Sequence, residues 1–130
     1  TATLIGQCLC GTVQYEVSDA FHYALICHCS QCRRATGAAN KPFAGIELAK
    51  LVVTTGHGSV LRYGGSENHD MRCGECGSLL YSVVREGQYA HVALGTLTDA
   101  PTIRPTAHIF VGSKAPWESI ADDFPHHDTM

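Results

Sequence analysis

Long hydrophobic runs are missing from this sequence: its aliphatic stretches, such as Leu51-Val52-Val53, are only strand-length. That excludes a helical membrane span, which needs about 20 apolar residues in succession. Thr1 to Gln7 also lacks the basic start and apolar stretch of a secretory signal, so the chain is expected to be cytoplasmic and in a reducing compartment. Charge is scarce, at 16% of residues, and the nine Lys and Arg are scattered, with Arg33-Arg34 the only adjacent pair. Without a basic tail or a basic helix face, no nucleic-acid partner is expected. Gly64-Gly65 and Gly56-His57-Gly58 are followed by no helix pattern, which reads as turns rather than phosphate loops. There is no internal repeat and no low-complexity linker. With 130 residues, 45% of them hydrophobic, the chain can build one core but not two, so residues 1–130 read as one domain. Only the end, about 121–130, is polar enough to suggest a frayed tail.

Cysteine is what the chain has in excess. Seven fall into three tight groups, Cys8-x-Cys10, Cys27-x-Cys29-x2-Cys32 and Cys73-x2-Cys76, and none lies outside them. Thiolates one or two residues apart can aim at one ion from a single turn, whereas structural disulfides usually join distant positions. An odd number would also leave one thiol unpaired. Two tetrahedral zinc sites divide the set, one closed by four sulfurs and one held by three with a position free for water or substrate. Ionising seven thiolates and adding two zinc ions would take the formal charge from -3 to about -6, again unsuited to nucleic acid.

Cys73-Gly74-Glu75-Cys76-Gly77 has the form of a metal knuckle, a turn whose amides face the sulfurs. Cys8-Leu9-Cys10-Gly11 also ends in Gly and is its natural partner, although spacing alone does not decide which groups share an ion. Cys27-His28-Cys29-Ser30-Gln31-Cys32 supplies three local ligands. One of His22, His28, His57, His69, His91 and His108 could close that site, or Cys29 and Cys32 could act as a redox pair. Arg33 and Arg34 follow directly and would offset its negative charge.

Val13, Tyr15 and Val17 alternate with polar residues, the period-two signature of a half-buried strand. Further strands are expected at His22–Ile26, Leu51–Thr55, Val60–Tyr63, Leu79–Val84, Tyr89–Leu94 and Thr106–Val111, with a hairpin turn at Arg85–Gln88. A short helix is expected from a Ser30 N-cap to Ala35, stopping at Gly37, and a second helical turn at Ile46–Ala49. The fold class is therefore mainly β with one or two short helices.

These residues resemble a known family. Gly6-x-Cys8-x-Cys10-Gly11-x-Val13-x-Tyr15, Cys27-His28-Cys29-x2-Cys32-Arg33 and Cys73-x2-Cys76-Gly77-Ser78 are similar to the glutathione-dependent formaldehyde-activating enzyme (GFA) family, which includes centromere-protein V. Gly95-Thr96-Leu97 with Asp99-x-Pro101, and His108-Ile109-Phe110 followed by Ala115-Pro116-Trp117, extend the likeness over nearly the whole chain. Arg72 departs from it, standing where the family usually has an aromatic residue. The resemblance implies a β-tent fold of small antiparallel sheets organised around two zinc ions. It places Cys8, Cys10, Cys73 and Cys76 on a structural zinc and Cys27, Cys29 and Cys32 on a catalytic one. It further implies a carbon-sulfur lyase that joins a small-molecule thiol such as glutathione to a formaldehyde-like aldehyde, or cleaves the adduct. The alternatives are a non-catalytic zinc module for protein interaction and a thiol redox sensor.

Overall fold

The computed structural model describes residues 1–130. Its strands are β1 (Thr3–Gln7), β2 (Gln14–Ser18), β3 (Tyr23–Cys27), β4 (Lys41–Glu47), β5 (Leu51–Thr55), β6 (Val60–Gly64), β7 (His69–Cys73), β8 (Leu79–Val84), β9 (Tyr89–Ala93) and β10 (His108–Ile109). One α-helix, α1 (Ser30–Thr36), follows β3. The strands form a three-stranded sheet, β1-β2-β5, and a seven-stranded sheet in the order β10-β3-β4-β9-β8-β7-β6. All pairings are antiparallel except β10 with β3. The fold is mainly β, as the alternation of residues requires, and no helix is long and apolar enough to cross a membrane.

Three local expectations change. Ile46 and Glu47 are not helical: they finish β4, and the helical turn is a 3-10 turn at Leu48–Lys50. The N-cap of α1 is Cys29 rather than Ser30, with the Cys32 amide donating to the Cys29 sulfur at 3.2 Å. Gly37 does end the helix, at φ 67, where a side chain would be strained. The tail does not hang free either. His108 N donates to Pro125 O, His127 N to His108 O and Phe110 N to Thr129 O, each at 2.9 Å, and His108 and His126 form a parallel bridge. Unpaired amides on the outer edge of β10 recruit the last residues despite their polarity.

The main core lies where the two sheets meet. It joins Leu4, Tyr15, Val17 and Leu51 of the small sheet to Ile46, Leu80, Ala90 and Val92 of the large one. Each of the Leu, Ile and Val side chains contributes about 1.5–3 kcal/mol by leaving water. Cys8 and Cys73 belong to the same cluster, so the seam between the sheets is also where thiols converge. Tyr15 lies across from Gly6, which has no Cβ to obstruct the ring, and its hydroxyl reaches Thr96 Oγ1 at 2.7 Å. Tyr23 sits against Gly45 of β4 in the same way, which aims its hydroxyl at His91.

Candidate metal centres and the cavity beside one of them

Cys8 follows β1 and Cys73 ends β7, so two turns from opposite sheets meet. In each turn a glycine amide closes back on the first cysteine carbonyl, Gly11 to Cys8 at 3.2 Å and Gly77 to Cys73 at 2.8 Å. Both glycines have positive φ, 79 and 84, which the turn demands. Leu9 N donates to Ser78 Oγ at 2.9 Å and ties one turn to the other. The sulfurs of Cys8, Cys10, Cys73 and Cys76 all lie within 4.8 Å of one another. Cys8 to Cys10 is 3.6 Å and Cys10 to Cys73 is 3.8 Å. A tetrahedral zinc with bonds of about 2.3 Å to sulfur spaces its ligands by about 3.8 Å, and these two separations match that spacing. Amides of Val13, Glu75 and Cys76 donate to the Cys8 and Cys73 sulfurs at 3.3 to 3.4 Å, as they would to thiolates. The Ser78 hydroxyl is the main cause that draws the Cys76 thiol down to about 5, and Thr12 lowers Cys10.

Cys27, at the end of β3, and Cys29 and Cys32, at the start of α1, form the second group, also within 4.8 Å. No histidine or carboxylate joins it. His28 turns the other way. It is fully buried and its Nε2 lies 2.8 Å from Nδ1 of His108. A hydrogen bond with Cys32 is the leading cause that lowers the Cys27 thiol to about 6, against its burial, and Lys41 adds a favourable charge. Cys32, the other half of that bond, is correspondingly pushed up. The chemistry of this set, three sulfurs within one ion's reach, one of them readily ionised, also suits zinc.

Cys32 forms part of the wall of a cavity of about 350 Å³, together with Lys41, Asp70, Ser82 and His91. Lys41 is 7% exposed and donates to Ser82 Oγ at 3.0 Å, and Ser82 donates in turn to Asp70 Oδ1 at 2.6 Å. The buried cation is thus linked to a carboxylate through one hydroxyl. His91 Nε2 pairs with Tyr23 OH at 2.7 Å, and its ring stacks on Phe43 with centres 4.3 Å apart. Burial first, then the charges of Lys41 and Arg85, lower His91 to about 4. It is therefore neutral at pH 7 and offers a hydrogen bond rather than a charge.

A pH dependence of stability follows. The unfolded chain takes a proton at His91 below about pH 6.5, while the folded chain refuses it until about pH 4. Stability from this group is complete above the upper value and is lost as pH falls between the two. Between pH 7 and pH 5 the loss is expected to be about 2 kcal/mol. Urea midpoints at both pH values check it: His91→Gln should show a smaller drop than the parent, and equal drops would refute it.

Three further histidines approach no cysteine group as ligands, although His69 also lines the cavity. His22 meets Glu47 at 2.8 Å on the surface, His69 bonds Gly65 O, and His57 lies in an exposed turn. Lys41, Asp70 and Ser82 carry no signal in sequence, because β4, β7 and β8 bring them together from positions far apart. Arg72 proves to be a strut. It donates to Gly77 O at 3.1 Å and to Ala35 O at 2.8 Å, joining the third cysteine turn to the end of α1.

Comparison with known proteins gives one family. The sequence model described as glutathione-dependent formaldehyde-activating enzyme matches residues 3–113. Among solved structures, the chain is similar to a Rhodobacter sphaeroides protein determined by structural genomics, with a TM-score of 0.63 and 28% identity. That likeness covers 76% of this chain and 92% of the other. No curated protein matches.

Proposed function

Because the chain belongs to the glutathione-dependent formaldehyde-activating enzyme family, we propose that it joins a small thiol such as glutathione to a small aldehyde, or cleaves the adduct, as a zinc-dependent carbon-sulfur lyase. Cys8, Cys10, Cys73 and Cys76 would hold one zinc and Cys27, Cys29 and Cys32 another, the first supplying folding energy and the second Lewis acidity that keeps a bound thiol ionised at neutral pH. The observation that carries the reading is that Cys32, from the three-cysteine group, borders an enterable cavity holding a buried cation. No other ligand side chain closes that group.

In this reading the thiolate sulfur attacks the carbonyl carbon, a carbon-sulfur bond forms, and the carbonyl π pair moves to oxygen. Lys41, held by Ser82, faces the growing negative charge and stabilises it by charge and hydrogen bonding. Solvent takes the thiol proton and returns one to the oxygen, so the addition involves no redox change. His91, held by the Tyr23 hydroxyl behind it, stands in the cavity wall as a neutral hydrogen-bonding group. Lys41→Met, which keeps the length and apolar bulk of the side chain, is expected to lower kcat about 10²-fold with a smaller change in KM. An unchanged kcat would remove Lys41 from this role.

The reading is tested by exchange NMR of hemithioacetal formation with glutathione and formaldehyde. Acceleration above the uncatalysed exchange is expected, and cobalt substituted at the three-cysteine group should change its absorption when glutathione is added. Neither acceleration nor spectral response, with other small thiols and aldehydes tried in turn, would leave a non-catalytic zinc module as the better description.

A further inference from the structure

Outside the cysteine groups, one cluster of potential metal ligands remains: His108, Asp122 and His126, whose ligand atoms lie within 4.8 Å of one another. Asp122 and His126 fall beyond the residues that match the family, so this arrangement is a property of this chain's own C-terminal segment. His108 Nε2 lies 2.9 and 3.0 Å from the two Asp122 oxygens. The rings of His108 and His126 are 5.1 Å apart at 79°, with no hydrogen bond between them. Two imidazoles sharing one tetrahedral ion, at metal-nitrogen distances of about 2.0–2.1 Å, place their ring centres at about that spacing.

Two further features point to a built site. The backbone pins the ligands in advance, because Pro125 and His127 exchange hydrogen bonds with His108 on either side of His126. The other face of His108 is fixed too, its Nδ1 lying 2.8 Å from Nε2 of the fully buried His28. With a metal on Nε2, the proton of His108 sits on Nδ1 and is donated to His28, the outer contact that orients metal-binding histidines. His108 itself is 3% exposed, whereas Asp122 and His126 are exposed and leave the cluster open to solvent.

We propose that His108, Asp122 and His126 form a third metal site, for a borderline divalent cation such as zinc, cobalt(II) or nickel(II), and that the ion clips the C-terminal segment onto β10. Two nitrogens and one carboxylate oxygen suit these ions, and the set differs from the thiolate groups in offering no sulfur. The site is independent of the proposed reaction.

The test uses the full chain without a polyhistidine tag, dialysed so that its cysteines keep the zinc they hold, then titrated with cobalt(II). One additional equivalent is expected, without sulfur-to-cobalt charge-transfer absorption, with paramagnetic shifts on the His126 ring and slower amide exchange over 126–129. His126→Ala, at an exposed position, should abolish that equivalent while zinc content stays unchanged. Asp122→Asn should weaken it about 10- to 100-fold or more. No additional cobalt at millimolar concentration would overturn the proposal, as would binding that survives both substitutions or carries a thiolate band. Metal retained but amide exchange unaltered would overturn the clip.

Discussion

Cys73→Ser is expected to leave the chain largely unfolded, whereas Cys27→Ser should keep its fold and lose one metal. The difference lies in what each sulfur joins. Cys73 is fully buried, belongs to the main core, and accepts hydrogen bonds from the Glu75 and Cys76 amides. With Cys8 and Cys10 it links the end of β7 in the large sheet to the end of β1 in the small one. A zinc held by four thiolates contributes on the order of 10 kcal/mol or more to folding. A chain of this size has net stability of about 5–15 kcal/mol, so losing most of that contribution brings it near zero. Cys27, Cys29 and Cys32 lie within one local segment, β3 to α1, and join no sheets. Far-UV circular dichroism with metal analysis separates the two cases. A folded Cys73→Ser protein that still held two zincs would contradict this division of roles.

Cys29→Ser is expected to abolish thiol–aldehyde addition while leaving the helix at least as stable. This substitution separates the observed role of the Cys29 sulfur as a helix cap from its proposed role as a metal ligand. As N-cap the sulfur accepts the Cys32 amide, and Ser is among the best residues for that position, whereas Ala would forfeit about 1 kcal/mol. In the proposed zinc site it would be one of three thiolate ligands, and a hydroxyl is a poor zinc ligand at neutral pH. Cys29→Ala should therefore be both inactive and slightly less stable. Metal content should fall by one ion in each variant, with the melting temperature lowered more by Ala. Residual acceleration by the Ser variant near that of the parent would show that the three-cysteine group is not where the reaction occurs.

Much of the organisation was legible in advance because it rests on local rules. Val13, Tyr15 and Val17 alternate with polar neighbours and are buried in and beside β2. Gly37 marks the helix end through its positive φ. Strands without a clean alternation were missed, β7 and β4 among them: β7 reads His69-Asp70-Met71-Arg72-Cys73, mostly polar ahead of its cysteine, and β4 opens on Lys41-Pro42 and carries Gly45. Both are strands because neighbours on each side supply partners for their backbone, a tertiary reason that no local pattern records. The tail was misread for the same reason. Its polarity argued for fraying, but the free edge of β10 gives its amides and carbonyls a place to bond.

The sequence alone determined the cysteine chemistry, since the spacing of Cys8 and Cys10, of Cys27, Cys29 and Cys32, and of Cys73 and Cys76 brings each set of sulfurs within reach of one turn. Only the tertiary structure decided which groups meet, that no histidine closes the three-cysteine set, and that Lys41, Ser82, Asp70 and His91 share a cavity with Cys32. Turns follow from a few consecutive residues. Convergence of β4, β7, β8 and β9 follows from burial and strand pairing over the whole chain, and those forces leave no mark at any one position.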